Sequence, residues 1–205
     1  MELKTLFSDI ADAIREKTGT TDKIVASDFP SKIRSITTGG GSGEIPNYKW
    51  VNLNMTSNTT PAPYVADSST TYIDSDKNTY EAYKAFDGLL LGGRGTCFYS
   101  AENKRWLQIY FGKGVKCSII RFYPAESYVP FFPKQIAIFG SNDGKNWIKI
   151  ADSGSVATAP EKGEWREVYI SIPFAYHYYK FEFSDAYNGT AQTILSEVEF
   201  YADGL

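Results

Sequence analysis

Few residues of this sequence could carry catalysis. It contains one histidine, His177, within the aromatic run FAYHYYKFEF (174–183), where an imidazole is more often packed or solvated than a general base. Glu197 and Glu199 lie two residues apart and would point the same way on a strand, but acid–base chemistry also needs a cleft around such a pair. No G-x-S-x-G elbow, P-loop, dinucleotide fingerprint or HExxH occurs. The sequence therefore predicts a non-enzymatic protein.

The two cysteines, Cys97 and Cys117, are too few to form a disulfide framework, and their spacing matches no common zinc pattern. We interpret them as free buried thiols, because cysteine is among the most buried residue types. In an extracellular domain, a disulfide bridge between them stays an alternative.

The composition sets limits on size and partners. The 205 residues are enough for one full domain with a small appendage. The aromatic share is 16%, which suits a half-buried β architecture and also supplies rings that stack on ligands. The net charge is -3, and no run of Lys or Arg forms a basic stripe. We therefore expect no nucleic-acid partner.

Apolar residues near the N-terminus recur at three- and four-residue steps, which predicts an amphipathic helix from about Glu2 to Lys17. A second short helix is predicted to begin at Ser27 or Asp28, where a capping side chain precedes Pro30. A helical hairpin of residues 1–36 is too small to be stable alone, so we expect it to oligomerise or to dock on a partner.

This leader, LKTLFSDIADAIREKTGTTDKIVASDFPSKIRSI, resembles a module at the start of tail and baseplate-associated proteins of phages and prophages of Gram-positive bacteria. The resemblance implies attachment to other virion proteins, and phage fibres often form trimers. Residues 37–47, which include TTGGGSG, are predicted to be a flexible linker. The first ten residues carry acids before any apolar stretch of signal-peptide length. Together with the resemblance, this makes the virion surface the expected location, after assembly in the host cytoplasm, and otherwise the extracellular space after lysis.

From Tyr48 onward the pattern is β, because seven segments alternate or run apolar over strand length between turn residues. They are Trp106–Phe111, Cys117–Tyr123, Gln135–Phe139, Trp147–Ala151, Glu167–Ile172, Tyr178–Phe183 and Glu197–Tyr201. Seven or eight such strands predict a sandwich. Asp143-Gly144 supplies the residue types of a two-residue hairpin turn between the third and fourth segments.

That hairpin, PKQIAIFGSNDGKNWIKI (133–150), occurs together with AYKAFDG (82–88), RWLQIYFGKGVKCSIIRFYP (105–124) and SEVEFYA (196–202). In these motifs and in their order the chain resembles the discoidin family, also called the coagulation factor V/VIII type C domain, over roughly Tyr48 to Asp203. The resemblance implies an eight-stranded antiparallel jelly roll at 48–205 that binds sugars or membrane surfaces through loops at one end. It also places Trp106, Trp147 and Trp165 in the core.

The resemblance further implies a structural calcium ion. In sugar-binding members, an Asp-Gly followed by Thr-x-Trp forms a calcium loop that a glutamate of the last strand closes. Asp87, Thr96 and Glu197 fall at corresponding places, and such hard oxygen ligands suit calcium. The sequence departs from the pattern at Leu89, where a second acidic or amide residue is common, and at Phe98, which replaces the Trp. The alternative is that Asp87 caps the local turn and Glu197 pairs with a nearby Lys or Arg side chain.

Exposed aromatic rings flanked by polar side chains match the apolar faces and hydroxyl edges of sugars. The loops of the predicted jelly roll supply such residues, whereas its strands are committed to the sheets. The candidates are Tyr72, Arg94, Tyr99, Tyr128, Phe131, Phe132, Tyr187 and Asn188. The Phe131-Phe132 tip also resembles the membrane-inserting spikes of the blood-clotting members, but an acidic chain without a basic cluster binds anionic lipid poorly.

We therefore expect a non-enzymatic glycan-binding protein, mounted through residues 1–36 on the tail, baseplate or capsid surface of a phage. Its expected partners are a cell-surface or environmental glycan, other virion proteins and further copies of itself, for example in a trimer. Two alternatives stay open. One is a purely structural decoration protein of the virion, and the other is an accessory module of a bacterial surface or secreted carbohydrate-active protein.

Overall fold

The computed structural model describes residues 3–18, 23–25, 47–101, 105–171, 173–203 and 205. The chain divides into two compact units, Met1–Pro46 and Asn47–Leu205. Within the first unit, helix α1 spans Leu3–Thr18, one residue from the prediction at each end. Ile10 packs there against a small apolar cluster of Ala11, Ile14 and Ile24.

The second predicted helix, which would begin at Ser27 or Asp28, lies outside the described residues. Residues 37–46 of the predicted linker lie outside them too. Among the described residues, no helix has the length and apolar content needed to cross a bilayer.

The described part of the second unit contains eleven strands and two short 3₁₀ turns, at Ala82–Ala85 and Val129–Phe131. The strands are β1 Lys49–Val51, β2 Val65–Ser68, β3 Tyr72–Ile73, β4 Thr79–Tyr80, β5 Phe98–Ser100, β6 Arg105–Pro124, β7 Ile136–Ser141, β8 Ile148–Asp152, β9 Arg166–Tyr169, β10 Ala175–Phe183 and β11 Thr193–Asp203. The predicted segments of residues 106–111 and 117–123 are one continuous strand, β6.

Strand β6 belongs to two sheet layers. Its first part, Arg105–Tyr110, pairs with β2 and β10, and β10 continues to β7 and β8. Its second part, Lys116–Pro124, pairs with β11 and β9, while β10 stays paired past Gly112, at Val115 and Lys116, after a register shift. Gly112 lies between the two parts at φ +75°, and a Cβ there would collide with the Pro63 ring. The hairpin of β3 and β4 stands apart from this sheet.

The core lies where the inner faces of the two layers meet. Phe181 of β10 packs edge-on against Phe122 of β6, with ring centroids 5.2 Å apart. Phe111 of β6 packs edge-on against Phe200 of β11 at 5.1 Å. All four rings are fully buried. The unit is thus the predicted antiparallel β sandwich, with more strands than the eight expected.

Two local predictions were wrong. Trp106, Trp147 and Trp165 are half-buried rather than core residues; the Arg121 guanidinium, for example, lies 4.2 Å from the centroid of the Trp165 ring. The predicted two-residue turn is a six-residue connection between β7 and β8. Within it Gly144 has a positive φ of +69°, while the Asp143 carboxylate accepts hydrogen bonds from later residues of the loop.

Candidate functional site

A cleft of about 310 Å³ lies among the loops and short strands that surround the β3–β4 hairpin. It is lined by Tyr72, Asp74, Ser75, Tyr80, Arg94, Tyr99, Tyr128 and Ile194. Four of these, Tyr72, Arg94, Tyr99 and Tyr128, were among the eight ligand-binding candidates chosen from the sequence. The structure therefore brings half of the predicted set together in one place.

Strand pairing explains how these side chains meet. Tyr72 of β3 lies opposite Tyr80 of β4, and Tyr99 of β5 lies opposite Ile194 of β11. Residues directly opposite one another in an antiparallel pair are close enough for their side chains to interact. Tyr128 comes directly before the 3₁₀ turn at Val129–Phe131.

The tyrosine rings form a contiguous aromatic wall. Tyr72 and Tyr99 are in closest contact, with ring centroids 4.2 Å apart and planes inclined by 53°. Tyr80 packs edge-on against Tyr99 at 5.8 Å. Tyr80 is buried, whereas Tyr72 is 37% exposed. The exposed Tyr72 ring thus rests on the half-buried Tyr99 ring and the buried Tyr80 ring, which restricts its orientation.

Asp74 organises the turn between β3 and β4. Its Oδ1 accepts hydrogen bonds from the backbone N–H groups of Asp76 and Asn78, both at 2.9 Å. Its Oδ2 accepts from Asn78 Nδ2 at 3.0 Å and from the Tyr80 hydroxyl at 3.1 Å. These bonds, led by the Asn78 side chain, lower the pKa of Asp74, so the carboxylate is ionised at neutral pH.

All the acceptor positions of this carboxylate are in use, since a carboxylate offers about four. Asp74 therefore shapes the cleft rather than offering a free acceptor to a ligand. Arg94, in contrast, can offer hydrogen-bond donors to a ligand. Its side chain is 68% exposed and pairs with the exposed Asp76 carboxylate. Ion pairs of this kind are weak, so the guanidinium can turn to a ligand at little cost.

The floor of the cleft is a small apolar core, separate from the main one. It consists of Tyr80, Cys97, Ala125 and Ile194, with Tyr128 and other rings packed around it. Burial raises the pKa of the Cys97 thiol to about 12, and burial does the same for Cys117 within the main core. Both cysteines are free and buried, as interpreted from the sequence.

The other four ligand candidates do not line the cleft. Phe131 packs against Tyr128 at 6.1 Å, and the Tyr187 hydroxyl donates to the Val156 carbonyl at 2.9 Å. Asn188 is exposed, and its side-chain oxygen accepts hydrogen bonds from Thr190.

Phe132 corrects the prediction of an exposed apolar tip. It is fully buried in the main core, at the point where the chain leaves the 3₁₀ turn in an extended conformation. Its neighbour Phe131 is half-buried. The pair therefore does not form a membrane-inserting spike.

Two of the three predicted calcium ligands approach each other. Glu197 is fully buried on β11, and its Oε2 accepts a hydrogen bond from the Gly88 N–H at 2.9 Å. Burial is the main cause that raises the pKa of Glu197 to about 9, and the negative charge of Asp87 adds to it. Burial also raises the pKa of Asp87 to about 6, while Lys84 acts in the opposite direction.

The third predicted ligand, Thr96, makes its described hydrogen bonds with Gly93, at 3.0 Å in both directions. Asp87 Oδ1 accepts from the Leu89 N–H at 2.9 Å, so it also caps the local turn. Among the described residues, no group of three His, Cys, Asp or Glu could hold a metal ion.

One oxygen among these donors could accept a cation. Glu197 Oε1 is buried and has no hydrogen-bond partner in the described structure, although buried polar atoms are normally satisfied. A cation beside it would satisfy this atom and offset the repulsion from Asp87. Oxygen donors without nitrogen or sulfur are typical of calcium sites, which also use backbone carbonyls.

The residues considered for catalysis, His177, Glu197 and Glu199, make hydrogen bonds within the fold. The His177 backbone N–H donates to the Asn142 side chain at 3.1 Å. Glu199 accepts hydrogen bonds from two nitrogens of Arg121, and Glu197 accepts one from the Gly88 N–H. Neither glutamate nor His177 lines the described cleft.

A β sandwich with a cleft among its loops is the architecture of carbohydrate-binding modules, a class of domain that is generally non-catalytic. The profile of the F5/8 type C domain matches residues 65–198. The chain therefore belongs to the F5/8 type C domain family. No curated protein matches the chain.

Solved structures of low sequence identity share the fold. An F5/8 type C domain from Bacteroides fragilis has a TM-score of 0.59 at 15% identity, covering 78% of this chain and 99% of that one. CpGH89CBM32-5 from Clostridium perfringens, in complex with GalNAc-β-1,3-galactose, has a TM-score of 0.56 at 15% identity, with coverages of 67% and 94%. The family 32 module of C. perfringens NanJ, in complex with galactose, has a TM-score of 0.52 at 19% identity, with coverages of 67% and 92%.

Proposed function

We propose that the β unit binds a glycan in the cleft between Tyr72 and Arg94. The observation that carries this proposal is the contact of the Tyr72 and Tyr99 rings at 4.2 Å, which presents an exposed ring in a restricted orientation beside a charged donor. The apolar C–H face of a sugar packs on such a ring, while the guanidinium donates to its hydroxyl groups.

The charges of the cleft favour a neutral saccharide. Asp74 is ionised, and the nearby Arg94 charge is balanced by Asp76. An acidic sugar would therefore meet an excess of negative charge, whereas a neutral sugar would not. The two C. perfringens modules named above were solved with neutral galactose-containing ligands, which agrees with this preference.

A glycan array tests the proposal. The full chain should give signals with neutral saccharides, and free galactose or the strongest array ligand should compete for them. Tyr72→Ala should remove the signal because it removes the exposed ring. Tyr169→Ala is the matched control, since Tyr169 is 65% exposed on β9 and lies outside the cleft lining. Silence of the wild-type chain on the array, including host polysaccharides, would favour a purely structural decoration role.

We propose in addition that Asp87 and Glu197 hold a structural calcium ion, with Thr96 or carbonyl groups of the same loop completing its ligands. The unsatisfied buried oxygen of Glu197 supports this proposal. When bound, the ion would supply positive charge to two carboxylates that otherwise repel each other. Its expected effect is on stability, because it would tie the loop after Asp87 to the last strand.

We propose finally that residues 1–36 attach the chain to a larger assembly and promote self-association, with the surface of a phage particle as the location. The sequence of the leader supports this, together with the amphipathic helix α1, whose described apolar residues Ile10, Ala11 and Ile14 pack with Ile24 and would gain from further burial. Co-sedimentation of the full chain with induced phage particles tests it. If the gene for this chain lies instead among genes for glycosidases, the chain would be an accessory carbohydrate-binding module.

A further inference from the structure

Lys84 joins two segments that line the cleft, although it does not line the cleft itself. It lies in the 3₁₀ turn Ala82–Ala85, and its half-buried ammonium group donates hydrogen bonds to the carbonyl oxygens of Thr79 and Gly95. Thr79 directly precedes Tyr80, and Gly95 directly follows Arg94. Since Tyr80 and Arg94 both line the cleft, one cation bridges the two backbone segments that carry them.

Besides this bridge, the Gly95 backbone hydrogen-bonds the Tyr80 hydroxyl, but this is a bond between uncharged groups. The ion pair of Arg94 with Asp76 is exposed on both sides, and exposed pairs contribute little. Gly95 packs closely on Asn78, where an added Cβ would lie 3.0 Å from the Asn78 Cβ, but this contact involves few atoms. Hydrogen bonds from a charged donor are roughly twice as strong as neutral ones.

The type of side chain fits this bridging role. A lysine has three donors and no acceptor, so it can serve two carbonyl groups at once. A methionine of similar length would fill the same space but would leave both carbonyl groups without a partner. The loop of Arg94 would then be free to move away from the β3–β4 hairpin, while the sandwich core, to which Lys84 does not belong, would stay intact.

We propose that Lys84 is a positioning residue for glycan recognition, which holds the Arg94 loop against the β3–β4 hairpin in the arrangement that a ligand needs. This inference rests on the proposed glycan-binding function. If the loop opens, only the closed fraction of molecules binds, and the apparent affinity falls in proportion to that fraction.

The test compares the wild-type full chain with Lys84→Met, Lys84→Arg and the control Lys113→Met, which replaces an exposed lysine of β6. The first readout needs no ligand: backbone hydrogen exchange of peptides covering residues 93–97, and the rate at which trypsin cuts after Arg94. We expect Lys84→Met to raise both about tenfold, with exchange in β7 and β10 unchanged. Lys84→Arg, which keeps a cationic donor, should restore the wild-type rates.

The second readout is affinity for galactose and GalNAc-β-1,3-galactose, where Lys84→Met should bind about tenfold more weakly at an unchanged melting temperature, with rescue by Lys84→Arg. Unchanged exchange in residues 93–97, or an increase spread evenly over the whole sandwich, would overturn the role of Lys84. Absence of wild-type binding to these sugars and to the array would instead contradict the proposed function, and the exchange data would still decide whether Lys84 holds the loop.

Discussion

The Gly88 N–H donates a hydrogen bond of 2.9 Å to Glu197 Oε2, while Glu197 Oε1 is buried without a partner in the described structure. A glutamate in this position joins the loop after Asp87 to the last strand of the sandwich. The calcium ion proposed above for this oxygen leads to the first prediction.

Calcium should raise the melting temperature of the wild-type chain by about 5 to 10 °C at a hundredfold excess over its dissociation constant. Glu197→Gln should remove this increase, because a neutral amide is a poorer calcium ligand. It should have little effect in EDTA, since a carboxyl with a pKa of about 9 is protonated at pH 7 when no ion is bound. Glu182→Gln, at an exposed position of β10, is the control. Equal calcium shifts in wild type and Glu197→Gln would exclude this site.

The turn around Asp143 should make the stability of the sandwich depend on pH. Hydrogen bonds from the backbone N–H groups of Asn146 and Lys145 hold the pKa of Asp143 well below its usual range. A carboxyl whose pKa is lowered by folding stabilises the protein above its unfolded pKa of about 3.9, and this stability is lost as the pH falls further. Asp143→Asn should thus melt below wild type at pH 7, and the difference should shrink below about pH 4. A difference that is constant with pH would contradict this.

The Arg121 side chain should contribute to stability and not to binding. Its guanidinium lies 3.9 Å from the Trp50 ring centroid and 4.2 Å from that of Trp165, and it pairs with Glu199. Arg121→Met should lower the free energy of unfolding by roughly 2 kcal/mol in urea titrations, while glycan affinity stays unchanged. A loss of affinity without loss of stability would show that this aromatic face takes part in recognition.

Helix α1 of the first unit should promote self-association of the chain. Ile10→Asp places a charge against the apolar cluster of α1 and should lower the mass measured by light scattering. Ala13→Asp makes the same change at an exposed position of this helix and should leave the mass unchanged. Neither substitution should alter the melting of the sandwich, because the two units are separately compact. Equal masses for the two variants and wild type would refute self-association through this helix.

The long strands of the fold could be predicted from the sequence, and the short ones could not. Strands such as β7 and β10 show apolar alternation over five residues or more. β3 and β4 have two residues each, which is too few for a period to appear. The continuity of β6 was also missed, because Gly112 and Gly114 suggest a break, whereas the structure uses them where the strand passes between layers.

The candidate site was predicted in part, for a related reason. Aromatic residues in loops indicated Tyr72 and Tyr99, but the sequence P-F-F-P does not show which ring turns inward, and Phe132 proved to be the buried one. Asp74 was missed, although Asp, Ser and Asn are typical turn residues and are concentrated between Asp74 and Asn78. Lys84 could not be found from the sequence, since its role depends on carbonyl groups that the fold brings together.

Isothermal titration with the saccharide that gives the strongest array signal is the most direct test of the cleft. Wild type, Tyr99→Ala and Tyr169→Ala should be titrated side by side, with melting temperatures to confirm that each is folded. We predict that Tyr99→Ala binds at least about tenfold more weakly, because it removes the ring beneath Tyr72, and that Tyr169→Ala binds like wild type. Wild-type affinity in a folded Tyr99→Ala would contradict glycan binding in this cleft.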